Sequence, residues 1–302
     1  MNTLTALVRR NTLLFFKDKG TFFAALITPM ILLVLYASFL GNIYRETFLA
    51  SFQPYSFTVS DKIINGFVAG QLLSSLLAAC CVTVSFCSNM LMVQDKATNT
   101  RRDLTITPVK RSTLALSYYI SSVLTTLLVF LIALTGCLIY IATQGWFLSA
   151  ADVALIFLDM VLLILFGTAL SSIVNFFLTT QGQISAVGTI VSSVYGFVCG
   201  AYMPISQFGQ GLQQVLSFLP GTYGTALVRN HCLGGVFRKL EQQGCHEAII
   251  QGIADAMDCN PKLLGNQVSI SGMYAILGAT IALLIGVYIL INCTLGKKTK
   301  EQ

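Results

Sequence analysis

Long apolar runs alternate with short polar breaks along this chain. The runs cover about 21–40, 64–93, 114–142, 153–178, 183–203 and 272–295. A helix of about 20 apolar residues crosses the hydrocarbon core of a bilayer. A membrane β-barrel would instead show alternating segments of about 10 residues. The pattern therefore predicts an all-α polytopic membrane protein with six transmembrane helices in a single domain over 1–302. Pro29 falls inside the first run and predicts a kink there.

The polar intervals differ in kind. Residues 1–19 place Leu4, Leu7, Val8, Leu14 and Phe15 at helical spacing, with Arg9, Arg10 and Thr12 elsewhere on the wheel. This predicts an amphipathic helix lying in the headgroup layer. A signal peptide fits less well, because the apolar run that follows is too long and no A-x-A site ends it. Residues 41–63 read as a loop of mixed charge (Arg45, Glu46, Asp61, Lys62). The turn TQGWFLSAAD carries Trp146, a residue suited to an interfacial anchor. The longest interval, 204–271, reads in two parts. A semi-apolar, glycine-rich part to about residue 230 predicts short helices lying on the membrane or re-entering it. A second part from residue 236 predicts a small polar helical cap.

Composition agrees with the pattern. Of 302 residues, 55% are hydrophobic and 10% charged, with a mean hydropathy of +0.76; a soluble domain is about 25% charged. The net charge of +6 is unevenly placed. With six spans, 12 of the 18 lysines and arginines fall on the side holding both termini and the interval 94–111. Basic residues mark the cytoplasmic side, so both termini are expected in the cytoplasm, 204–271 outside, and the chain in the plasma membrane. The excess matches loops facing anionic membrane lipids, and no motif for nucleic acid is present. The interval 94–111, QDKATNTRRDLTITPVKR, concentrates Lys96, Arg101, Arg102, Lys110 and Arg111. Topology alone accounts for such an island. It is also the best place on the chain for a soluble partner to grip.

The chemistry of enzymes is missing. There is no G-x-x-x-x-G-K-[ST]; the nearest string, LGKKT at 295–299, lacks the upstream glycine and follows no strand. No H-E-x-x-H or G-x-S-x-G occurs, so no catalytic, cofactor or metal site is expected in this chain. A metal set can be drawn from His231, Cys232, Cys245, His246 and Cys259, but neighbours on a helix point about 100° apart and chelate poorly. A disulfide among the three external cysteines stays open, with no pair assigned. The six others lie in the spans as small packing residues.

Asp159 is the one charge well inside a span. It lies about 10 Å below Asp152 at helical rise, and either serves function or reaches an outer aqueous vestibule. Polar stripes mark other spans: Gln71, Ser74 and Ser75; Ser171, Ser172 and Asn175; Ser185, Thr189, Ser192 and Ser193. They read as interhelical hydrogen bonds or as pathway lining. The pathway candidates are Gln71, Ser74, Ser75, Asp159, Asn175, Ser185, Thr189 and Ser192. Small-residue ladders at Gly66/Gly70, Gly196/Gly200 and Gly278/Ala282/Gly286 allow close helix approach.

Three features together resemble the permease subunits of type-2 ABC transporters, and they span nearly the whole chain. The first is the basic amphipathic N-terminal helix with Arg9, Arg10 and Lys17. The second is the pattern after the second span: Asp95 in the place of the usual Glu, Asn99-Thr100 for Gly-Thr, Leu104, Thr107-Pro108-Val109, then Lys110-Arg111. The third is the external Leu-Pro-x-x-Tyr string, Leu219, Pro220 and Tyr223, followed by Arg229. The resemblance implies a separate ABC ATPase subunit that binds ATP and magnesium, and a second permease copy, identical or related. It implies that 94–111 is a cytoplasmic coupling loop fitting a cleft on that ATPase. Asp95, Thr100, Arg101, Arg102, Asp103, Leu104, Thr107, Pro108, Lys110 and Arg111 would form it, with Arg101, Arg102 and Asp103 making charged contacts and Leu104, Ile106 and Val109 apolar ones.

The expected function is therefore the permease of an ATP-driven exporter for a hydrophobic or amphipathic substrate, such as a drug, peptide or lipid-like molecule. A lipid-linked glycan exporter is the alternative within the class. An ion-coupled secondary carrier predicts several buried carboxylates and inverted repeats, and a membrane-embedded enzyme predicts a clustered nucleophile or metal set; neither pattern is clear.

Overall fold

A membrane helix that carries polar side chains within its apolar run is best enclosed by protein rather than lipid. Helix α4 (Asp61–Ser88), with Gln71, Ser74 and Ser75, is such a helix, and every residue from Ala69 to Phe86 is buried. The computed structural model describes residues 3–52 and 59–294 and is an all-α membrane protein. Ahead of α4 come α1 (Thr3–Lys17), α2 (Lys19–Leu35), a π-helical turn at Tyr36–Leu40 and α3 (Gly41–Ala50). After it come α5 (Leu91–Ala97), α6 (Thr100–Ile106), α7 (Arg111–Gln144), α8 (Ala150–Phe177) and α9 (Gln181–Val198). The chain closes with α10 (Gln210–Ser217), α11 (Pro220–Gln242), α12 (Glu247–Ala256), a two-stranded hairpin (Lys262–Leu263 with Asn266–Gln267) and α13 (Ile270–Thr294). Around α4 pack α2, α3, α7, α8, α9 and α11.

Four helical stretches among the described residues are long and apolar enough to cross a membrane: Asp61–Ala97, Arg111–Gln144, Ala150–Phe177 and Ile270–Thr294, with mean hydropathies of 2.0 to 2.6. They fall on the second, third, fourth and sixth predicted runs. Helices α2 and α9 occupy the first and fifth runs but are only 17 and 18 residues long. Pro29 lies within α2 without ending it. The C-terminal lysines Lys297, Lys298 and Lys300 lie outside the described residues.

Two expectations about the intervals are corrected. Much of the predicted loop 41–63 is helical. Gly41, Tyr44 and Phe48 recur at helical spacing and turn inward, leaving Glu46 exposed. The Phe48 ring stacks on Phe67 of α4 at 4.1 Å, and Arg45 reaches Asn65 (2.8 Å) and Asp61 (2.7 Å). The predicted division of 204–271 also fails, because α11 runs straight through it. Pro220 is accommodated at the start of α11, where its missing N–H leaves nothing unsatisfied. Residues 221–229 are buried to the last one, and α11 packs against α4, α8 and α13. Its mid-helix Arg229, Asn230 and His231 are bonded inside the protein, and exposed charge gathers toward its far end, at Lys239 and Glu241, so an average over the window hides a core helix. Residues 247–267 do form a small cap of helix and hairpin.

Glycines let α11 sit this deep. A Cβ on Gly70 would stand 2.9 Å from the Cys232 carbonyl oxygen, and one on Gly235 would overlap that of Phe147. Both obstacles are backbone and cannot rotate away. The ladder Gly66/Gly70 thus packs inside the chain, whereas Cβ atoms at Gly278 and Gly286 would meet nothing. Gly235→Ala is expected to destabilise the purified protein by about 1–3 kcal/mol, the usual cost of overpacking. Gly209→Ala, where a Cβ meets nothing, should leave thermal unfolding in detergent unchanged.

Candidate functional site

The segment 94–111 is not a loop but two short helices with a sharp turn between them. Helix α4 stops at Asn89, and α5 leads the chain out to Thr98. Asn99 then adopts a left-handed conformation, φ 60°, and α6 begins. Asparagine tolerates this region better than most side chains, which accounts for Asn at the position where the resembling family uses Gly. Thr107 closes α6 with its hydroxyl on the Leu104 carbonyl (2.6 Å).

The segment has an inner and an outer face. Asp95 is buried, receiving Arg10 Nη1 at 2.8 Å, Arg10 Nη2 at 3.1 Å and the Tyr118 hydroxyl at 2.6 Å. This three-way clamp joins α1, α5 and α7, and the Asp95 hydrogen bonds hold the Arg10 guanidinium above its usual range. Lys96 donates to the carbonyls of Asn175 (2.9 Å), Phe176 (2.5 Å) and Leu178 (3.0 Å), capping the C-terminus of α8 where a cation is favoured. Arg101 turns toward Asn292 of α13 (3.2 Å) and lies over the Phe176 ring. The outer face carries Arg102, Asp103, Ile106, Thr107, Pro108 and Lys110, all exposed, with Ile106 77% exposed. Thr100, Leu104, Val109 and Arg111 are half-buried between the two faces; Leu104 and Val109 pack on the cluster formed by Leu7, Met92, Leu114 and Tyr288. Asp95 and Arg101 are therefore braces within the chain: both point into the bundle.

A second polar cluster sits at the break between α4 and α5. Asn89 Nδ2 donates to Ser171 Oγ (3.0 Å) and Ser172 Oγ (2.8 Å), its Oδ1 accepts from Ser122 Oγ (3.1 Å), and its carbonyl accepts from Asn175 Nδ2 (3.1 Å). Asn89 does not stand out in the hydropathy pattern because it lies inside a long apolar run, although an asparagine there is itself a sign of interhelical bonding. Asn175 belongs to this cluster. Gln71, Ser74 and Ser75 lie fully buried in α4, where Ser74 returns a hydrogen bond to its own helix (2.8 Å). Ser185 and Thr189 are exposed and Ser192 half-buried on α9; the hydroxyls of Ser185 and Thr189 bond to their own helix. The pathway candidates are thus split between the closed core and the open face of α9.

The residues of the predicted external string anchor α11. The Tyr223 hydroxyl donates to the Ser217 carbonyl (2.5 Å), binding the start of α11 to α10, while Leu219 and Pro220 form the corner between them. Arg229 is 1% exposed and donates to the carbonyls of Met257 (2.6 Å) and Gly200 (2.8 Å), tying α11 to the cap and to the end of α9. Asp258 stands 3.8 Å from it; burial pushes that carboxyl above its usual range, against the pull of the arginine. Asp159 is fully buried against His231 and Tyr274. Cys232, Cys245 and Cys259 are free thiols, and among the described residues no His, Cys, Asp and Glu group could hold a metal ion.

A family model described as ABC-2 type transporter matches residues 2–232. No curated protein matches the chain.

Asn89→Ala is expected to cost about 1–2 kcal/mol, because it removes the side-chain partner of three hydroxyls, Ser122, Ser171 and Ser172, in a dry interior. Ser185→Ala should cost little. Thermal unfolding in detergent compares the two.

Proposed function

The chain belongs to the ABC-2 type transporter family, and from that premise we propose that it is the permease of an exporter powered by a separate ATPase subunit. The observation that carries this reading is the two-faced segment α5–α6. Its inner face is bonded to α1, α7, α8 and α13 through Asp95, Lys96 and Arg101. Its outer face is short, charged and exposed around Arg102, Asp103 and Ile106. A partner that grips the outer face moves a body already fastened to four helices, so rigid-body motion passes into the bundle.

In this reading six helices cross the plasma membrane, with α2 and α9 completing the four long ones, and both termini are cytoplasmic. A second permease copy covers the open face of α9, whose exposed residues Thr189, Ile190, Ser193, Val194 and Phe197 mix small polar with apolar groups. The path would run between copies, which suits a hydrophobic or amphipathic substrate. An ion-coupled carrier would depend on Asp159, and both its oxygens are already occupied.

The test is capture of the ATPase by the purified chain, followed by ATP turnover in nanodiscs. Arg102→Glu/Ile106→Asp should weaken capture at least about tenfold, a loss of ~1.4 kcal/mol. Asp95→Asn should leave capture intact and lower substrate-stimulated turnover, because it cuts the brace rather than the grip. Full capture by the double variant sinks the coupling assignment.

A further inference from the structure

One ionisable cluster lies inside the bundle, apart from the proposed coupling segment. Three helices contribute one group each: Asp159 from α8, His231 from α11 and Tyr274 from α13. Asp159 is 0% exposed and both its oxygens are taken, Oδ2 by His231 Nδ1 at 2.5 Å and Oδ1 by the Tyr274 hydroxyl at 2.6 Å. The imidazole lies nearly parallel to the phenol, 26° between planes and 6.4 Å between centroids. Tyr274 donates its hydroxyl to Asp159, and with that carboxylate ionised His231 must donate from Nδ1 as well. One variable remains, a further proton.

With a neutral imidazole the cluster holds a single negative charge. With one more proton it becomes a neutral carboxylate–imidazolium pair. An unpaired charge in an apolar interior is far costlier than a bonded ion pair. Among the described residues, the surrounding helices supply no second cation to offset it. Cys81 of α4 and Cys232 of α11 lie within electrostatic reach of Asp159, and Cys137 of α7 lies beyond Cys232. Arg229, two residues along α11, is committed to the Met257 and Gly200 carbonyls. Asp152, the next acid on α8, is paired with Arg238.

We propose that Asp159, His231 and Tyr274 form a proton-operated latch on α11. Uptake of one proton locks α11 between α8 and α13. Its loss leaves a lone buried charge and frees α11 to shift with α10, to which it is joined by Tyr223. Histidine is the side chain that changes charge near neutrality. The carboxylate itself is sealed, but Tyr274 is half-buried one turn into α13 and His231 is 8% exposed. Protons therefore arrive from the end at which α13 begins. In the orientation proposed above that end is external, so the latch reads the pH outside the cell; this clause alone rests on that orientation. Locking binds the proton more tightly, so it strengthens as pH falls and is lost as pH rises.

Hydrogen exchange of the full chain in lipid nanodiscs, corrected for intrinsic exchange, tests the latch between about pH 5.5 and 8. Peptides within 220–242 should lose protection by at least about tenfold toward the higher pH. Asp159→Asn and His231→Gln should abolish the difference, while Tyr274→Phe, which spares the titrating pair, should retain it. His246 is exposed, and His246→Gln serves as the control where a core variant fails to fold. Survival of the difference in His246→Gln supports the latch. Equal protection at both pH values in the unaltered chain, or loss of the difference in His246→Gln, overturns it. The measurement needs no ATPase, so its failure leaves the coupling assignment standing, and failure of ATPase capture leaves the latch standing.

Discussion

A bilayer interior offers no water to satisfy a polar group, and this constraint orders the whole bundle. The charged and amide side chains that connect helices find partners in the protein, whereas the buried amide of Gln71 in α4 has none among the described residues. Asn89 fills its amide and its backbone carbonyl with groups from α7 and α8. Lys96 spends its ammonium on the bare carbonyls that end α8. Arg229 does the same for the turn after α9 and the end of α12. Apolar packing alone distinguishes poorly between one helix neighbour and another in lipid. These polar contacts specify which helices meet and in what register.

The same contacts explain how a small exposed knob could govern a large buried body. Helix α6 is only seven residues long and would be marginal alone. It is held because the helix before it and its own first turn are bonded inward: Asp95 to Arg10 and Tyr118, Arg101 to Asn292. The clamp at Asp95 also draws in α1, so α1 and the α5–α6 segment would move as one piece.

Helix α11 is the second consequence. It follows the corner at Pro220, it is enclosed by α4, α8 and α13, and it carries two buried charge systems, Arg229 with Asp258 and His231 with Asp159. A helix held by close glycine contacts along one side and by ionisable groups along another is suited to two arrangements rather than a continuum. The proposed proton latch acts on this one element.

Hydrophobic periodicity determined that the chain is an all-α membrane protein, and it located four long helices to within a few residues, because a bilayer imposes one length and one composition on whatever crosses it. The polar island stands out from residue order alone, and the resemblance carried by its Thr-Pro-Val string singles it out as the segment proposed to couple to the ATPase. Other features were not legible. Residues 220–242 average polar and apolar positions in a single window, so the enclosed face of α11 vanished from the count. Asp95 and Arg101 looked like contacts for a partner because charge in an exposed-looking island has no direction along a sequence. Asp159 looked solitary because His231 lies 72 residues away and Tyr274 115. Sequence recorded which residues could pair. Only the tertiary structure, which brings α8, α11 and α13 together around one carboxylate, decided which of them do.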